Sequence, residues 1–241
     1  MVTQGLGRRP WGWVFNLVLP GLFFGLAYLL MPVDQAFQFD TDEGIELVRA
    51  SLYAQGFEFY REIWSDHPPL FSILLVQWQA WWGASVAAAR LLTLSFATLL
   101  IWAFAQTLRC FVQEAIALLG ALLLANSINF LRLSVSVMIG LPSLALAMLA
   151  VYATVKYSQS PRRSWGWLLL SAIALATSLQ IKVFTGFLLP ILLGMIGLAA
   201  GSSPQGGRWA IAQRRMIAPG LWLLALGATF GGLSLGMGFD R

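Results

Sequence analysis

Asp42 and Glu43 are adjacent carboxylates within a stretch, Asp34 to Pro69, that holds eight of the ten acids of a 241-residue chain. A carboxylate fixed beside an acceptor can take the proton of a hydroxyl or amine as general base. With a second acid it could also hold a divalent metal ion. The same two acids suit the first turn of a helix, where they favour the macrodipole and cap free amides, so both readings stand. His67, in His67-Pro68-Pro69, is the only imidazole and could meet a lipid phosphate. Arg61 and Arg49 could bind phosphate through paired N–H groups. Arg90 and Lys182 sit at the ends of long apolar runs. A cation there either reaches for lipid headgroups or faces a cavity that holds an anionic substrate. The lone cysteine, Cys110, excludes an internal disulfide and a Cys-based metal cluster. Walker, GxSxG and HExxH motifs are absent.

The elements that must position these groups are membrane helices. Of all residues 59% are hydrophobic and 10% charged, against about 25% charged in a soluble domain. Several uncharged runs exceed the roughly 18 residues of a spanning candidate, and alternating barrel-type segments are absent. The expected fold class is all-α: a polytopic helical membrane protein of about seven transmembrane helices with two outer-face interfacial helices in the first loop. The spans are expected near 12–33, 86–108, 115–131, 138–156, 165–181, 183–200 and 217–236. In the first loop, Asp42 to Gln55 reads as a helix with Asp40 as its cap, Glu43 in the capping-box position and Gly56 as its stop. Ile45, Val48 and Leu52 share one arc; Asp42, Glu46, Arg49 and Tyr53 share an adjacent arc of about 60°. That pattern predicts an amphipathic helix lying on the membrane surface with a narrow polar stripe. Leu70 to Gly83 is too short to span and carries Trp78, Trp81 and Trp82, so it is expected to be a second interfacial helix. Asn126 and Asn129 suit hydrogen bonds between helices.

The acidic stretch carries a net charge of −6 and the rest of the chain +11. With the 70–83 helix left outside, Arg8, Arg9, Arg109, Lys156, Arg162, Arg163, Arg208, Arg214 and Arg215 fall on the cytoplasmic side and the clustered acids outside. The positive-inside rule prefers this arrangement. The chain therefore reads as one transmembrane domain, 1–241, of a bacterial cytoplasmic membrane, with its N-terminus inside and 34–83 as an outer loop. Its charge pattern does not point to nucleic acid.

These residues and their order resemble the GT-C glycosyltransferases, in particular the branch of the protein O-mannosyltransferases and the lipid A aminoarabinose transferase. The resemblance is carried by Asp42-Glu43, Ala50, Leu52, Gly56 and Tyr60, then His67-Pro68-Pro69-Leu70-Phe71, then Gly83, Ser85, Arg90 and Leu91, and finally Lys182 between two apolar runs. It implies transfer of a sugar from a polyprenyl-phosphate donor to a protein, lipid or glycan acceptor on the outer face, with membrane lipids around the site. It implies Asp42 as the base and Glu43 as its support. His67 stands where the branch often has lysine near the donor phosphate, which makes the charge there depend on pH. Lys182 would lie by the donor-facing cavity. Members usually carry one more acid in the loop that here reads SVSVMIGLPSL, which has none. Members are also longer, so the chain is expected to be the N-terminal module of a larger architecture, completed by a second chain or complex. An alternative on the same frame is a non-catalytic subunit or scaffold of a membrane complex. A transporter is disfavoured because the expected spans are charge-free at their centres.

Overall fold

The computed structural model describes residues 11–35, 41–160, 164–201 and 208–237. Asp40, the basic arm 1–10, Arg162, Arg163 and the linker beyond Gly201 lie outside the described residues. The chain is all-α: no strand occurs among the described residues, only one isolated bridge between Phe59 and Ile63. A π-helical turn, Val14–Val18, leads into α1, Leu19–Leu30. Then come α2 (Thr41–Ala54), α3 (Leu70–Trp82), α4 (Val86–Leu108), α5 (Glu114–Ala125) and α6 (Ile128–Ser134). The second half holds α7 (Gly140–Gln159), α8 (Trp165–Ile181), a 3-10 turn (Val183–Phe187), α9 (Leu188–Gly201) and α10 (Arg208–Gly236).

Each apolar run foreseen as a span is helical. Val86–Leu108, Gly140–Gln159, Val183–Ala200 and Met216–Gly236 are each long and apolar enough to cross a membrane. Val14–Leu30 and Trp165–Ile181 are shorter apolar helices. The run expected at 115–131 is not one straight span: α5 and α6 meet at 69°. The break falls at Asn126 and Ser127. Asn126 is the C-cap of α5: its backbone N–H makes the last helical bond to the Leu122 carbonyl at 2.9 Å, and its side-chain amide donates to the same carbonyl at 2.8 Å. The residue expected to bond between helices bonds within its own.

Small residues let the spans approach closely. Ala145, Ala150, Ala153, Ala172 and Ala176 are buried where α7 packs on α8. Hydroxyls bridge that seam, Thr154 to Ser171 at 2.7 Å and Ser143 to Ser178 at 3.1 Å. The Trp222 indole N–H ties α10 to Ser171. At one end of the bundle Arg109 pairs with Glu114, and Gln106 donates to Asn16. Cys110 follows α4 there, its carbonyl accepting from Gln159.

The other end carries α2 and α3. One apolar cluster gathers Ala50, Leu70, Phe71, Leu75, Ala89, Leu92, Val137, Ile139 and Ile181 from α2, α3, α4, the α6–α7 loop and α8. α3 has 13 residues, too few to cross. It buries Leu70, Phe71 and Leu75 and leaves Trp81 and Trp82 exposed. Gly56 stops α2 as expected, with φ +97° and the Phe57 N–H returning to the Leu52 carbonyl. A Cβ there would meet nothing within 4 Å, so the strain of Gly56→Ala is conformational alone. The substitution is expected to cost about 1 kcal/mol, read as a lower thermal midpoint in detergent.

The seating of α2 differs from a simple amphipathic helix. Of the stripe Asp42, Glu46, Arg49 and Tyr53, Glu46 and Arg49 are buried, Tyr53 is half-buried and Asp42 is exposed; Glu43, outside the stripe, is buried as well, while Ile45 and Val48 are exposed. The buried charges turn inward because each finds a partner, which the wheel alone could not reveal.

Candidate functional site

The first turns of α2 present two adjacent acids to two different surroundings. Glu43 points into the bundle and is 3% exposed. Its two oxygens receive Arg90 Nε at 2.8 Å and Nη2 at 3.0 Å, a bidentate pair. The backbone N–H of Val137 reaches the same carboxylate at 3.4 Å. Arg90, 1% exposed, also donates from Nη1 to the carbonyls of Pro32, Val33 and Gln35. One guanidinium thus joins α4 to α2 and to the start of the α1–α2 connection. Its donors are spent on the protein, so this geometry gives Arg90 no contact with a ligand in the cavity.

Asp42, one residue earlier and exposed, faces the other way. It lines a cavity of about 160 Å³ with Ile45, Glu46, Arg49, Trp64, Asp66, His67, Met138, Ile139, Gly140 and Lys182. Four groups singled out in the sequence, Asp42, Arg49, His67 and Lys182, therefore meet there. Arg61 does not line it. It is exposed on the loop and pairs with Glu58 at 2.9 Å. The α6–α7 loop contributes Met138 to Gly140, the segment without an acid. A second acidic wall comes instead from Asp66.

Lys182 owes its position to the end of α8. The helix stops at Ile181, and Lys182 is extended, with φ −152° and ψ 115°. Buried hydroxyls lock the turn: Ser178 bonds Thr185, and Thr185 donates to the Lys182 carbonyl at 3.1 Å. Gln180 anchors the same turn to α10 through the Phe230 carbonyl and Ser234. The ammonium lies 5.8 Å from the Phe184 ring.

Glu46, Arg49 and Asp66 form a chain of charges into the cavity. Ser72 of α3 donates to Glu46 at 3.0 Å, and Arg49 donates to Glu46 at 2.8 Å and to Asp66 at 3.0 Å. The guanidinium carbon lies 5.6 Å from the Trp64 ring. Asp66 also meets His67 Nε2 at 3.1 Å. Partial burial pushes the Asp66 carboxyl up, but the Arg49 hydrogen bond, its own backbone amide and the nearby His67 hold it below the ordinary carboxylate value. A lowered folded pKa means its contribution to stability is full above the ordinary carboxylate range. That contribution is lost as pH falls through the depressed value. Burial pushes the Tyr60 phenol up, against the pull of Arg49 and with the push of Asp66. The phenol keeps its proton and donates it to the His67 carbonyl at 2.8 Å.

Among the described residues, no group of three or more His, Cys, Asp and Glu is placed to hold a metal ion. Sequence reading singled out Asp42, Arg49, His67 and Lys182 but missed Asp66. The available signal was its place beside His67, two residues from Trp64.

A family model described as dolichyl-phosphate-mannose-protein mannosyltransferase matches residues 66–226. The match runs from Asp66 through His67, Arg90 and Lys182, and Asp42 and Glu43 precede it. Comparison with curated proteins and with solved structures gave no match. An all-α frame of apolar helices and a family match over more than half of the sequence agree: the chain belongs to the dolichyl-phosphate-mannose-protein mannosyltransferase family, of GT-C type.

Proposed function

We propose that the protein is a membrane glycosyltransferase that moves a sugar from a polyprenyl-phosphate donor to an acceptor on the outer face. The observation that carries this reading is the convergence of Asp42, His67 and Lys182, 140 positions apart at their extremes, on one cavity with charged and apolar walls at one end of an apolar bundle. Family membership supports the donor class, and the asymmetry of basic and acidic loops supports the outer face.

In this reading the Asp42 carboxylate accepts the proton of the acceptor hydroxyl or amine. The acceptor atom bonds the anomeric carbon as the carbon–oxygen bond to phosphate breaks. The phosphate keeps the electron pair and leaves as polyprenyl phosphate. Lys182 and His67 sit on the wall suited to that growing negative charge. Glu43 supports Asp42 indirectly: held by Arg90, it fixes the pitch of α2 and so the direction of its neighbour. Arg90 acts on substrate only through this seating, and Arg61 meets lipid headgroups from the loop.

The test is transfer from polyprenyl-phosphate mannose by purified protein and its Asp42→Asn variant. The variant is expected to lose about 10²- to 10⁴-fold in rate. Undiminished transfer would remove Asp42 from the mechanism.

A further inference from the structure

We infer that Asp66 is a positioning residue of this site, binding His67 and Arg49 into one hydrogen-bonded unit that meets the donor's phosphate. The inference rests on the polyprenyl-phosphate reading above and assigns a role to a residue that reading does not use. Asp66 contributes both oxygens, one to Arg49 Nη2 at 3.0 Å and one to His67 Nε2 at 3.1 Å. Arg49 is anchored on its far side by buried Glu46, itself bonded to Ser72 of α3. The imidazole has no comparable anchor apart from Asp66. With Nε2 engaged, the ring has Nδ1 left to offer a ligand.

The contacts are poorly explained as fold-holding. The Asp66 side chain is 46% exposed, and an exposed ion pair stabilises little. The loop backbone at His67 is held without it. Tyr60 Oη and Ser65 Oγ each donate to the His67 carbonyl at 2.8 Å, and Tyr60 N–H reaches the Ile63 carbonyl at 2.9 Å. Asp66 is thus a carboxylate that the loop does not need for its shape, set between Arg49 and His67 on one cavity wall. The charged and titratable groups around it are Asp42, Glu46 and Arg49 of α2, Tyr60 and His67 of the loop, and Lys182 after α8. A carboxylate beside an anion site would by itself repel phosphate. Its net benefit comes from ordering two donors, each of which makes charge-assisted bonds to phosphate.

The experiment measures binding of a short-chain polyprenyl phosphate to the full chain in neutral detergent, and donor KM against kcat, for Asp66→Asn, Asp66→Ala and Asp66→Glu. Asp66→Ala is expected to weaken phosphate binding about tenfold or more, as for loss of a charge-assisted contact. Asp66→Asn, which keeps shape without charge, is expected to raise donor KM with kcat changed less. Asp66→Glu restores the bridge and is expected to recover most of the affinity. Thermal midpoints are expected to stay near that of the parent. Three outcomes overturn the inference: parent-like affinity in both Asn and Ala variants; loss of affinity only in step with loss of folding; or no recovery with Glu. The same titration with phosphatidylglycerol reads headgroup binding. An equal loss for both lipids would make the pair a headgroup contact and overturn the donor assignment. If the parent binds no polyprenyl phosphate, the functional reading itself fails. If the parent binds and Asp66→Ala binds equally, only this inference fails.

Discussion

Arg90→Ala is expected to be among the most destabilising single substitutions in the chain. It strips the partner from a carboxylate that is 3% exposed, and leaves the Pro32, Val33 and Gln35 carbonyls without a shared donor. Breaking a buried ion pair by deleting one member costs about 3–5 kcal/mol. Thermal unfolding in detergent should register this as a large fall in midpoint. Sugar transfer should fall with it, because α2 loses its fixed pitch. Lysine is not an adequate replacement: it cannot serve two carboxylate oxygens and three carbonyls from one compact ammonium. The double change Arg90→Met with Glu43→Leu separates the two contributions. It removes both charges together and is expected to regain much of the stability, as apolar replacement of buried pairs often does. A parent-like midpoint for Arg90→Ala would show that the pair does not hold the helix.

Asp42→Asn is the counterpart in chemistry. Asparagine keeps the size of the side chain and its exposed setting, so folding should be unaffected, but its amide cannot take a proton at neutral pH. The expected loss of about 10²- to 10⁴-fold falls in the rate of transfer, with donor affinity nearly unchanged. The neighbouring Glu43→Gln should behave in the opposite way. It weakens the clamp on Arg90 and lowers the thermal midpoint, while the protein that remains folded keeps most of its transfer, losing only what a looser pitch of α2 costs. Two adjacent acids thus separate by assay: one variant is inactive and stable, the other active and less stable. If Glu43→Gln were instead the inactive and stable one, the two roles would have to be exchanged.

Much of this organisation is legible locally. The stops at Gly56 and Gly83, the short tryptophan-rich α3 and the apolar runs follow from patterns a few residues long. Asp42, His67 and Lys182 stand out because chemistry-bearing side chains are scarce in so apolar a chain. What is not legible depends on distant partners. Nothing around Glu43 says that it will meet Arg90, and a helical wheel does not show that Glu46 and Arg49 will be buried. Asp66 reads as one more loop acid until the fold brings Arg49 to it. The bend at Asn126 and Ser127 interrupts an apolar run, and apolar content alone does not decide it.

The clamp between α2 and α4 also dictates an order of assembly. Glu43 precedes Arg90 by 47 residues, and synthesis delivers the N-terminal part first. When α2 emerges, its buried-to-be carboxylate has no counter-charge and must remain in water. The helix can settle only after α3 has passed and the head of α4 has arrived with its guanidinium. Docking of α2 is then expected to wait for α4: until Arg90 is in place Glu43 has no guanidinium to meet, and the wall that carries Asp42 is unassembled.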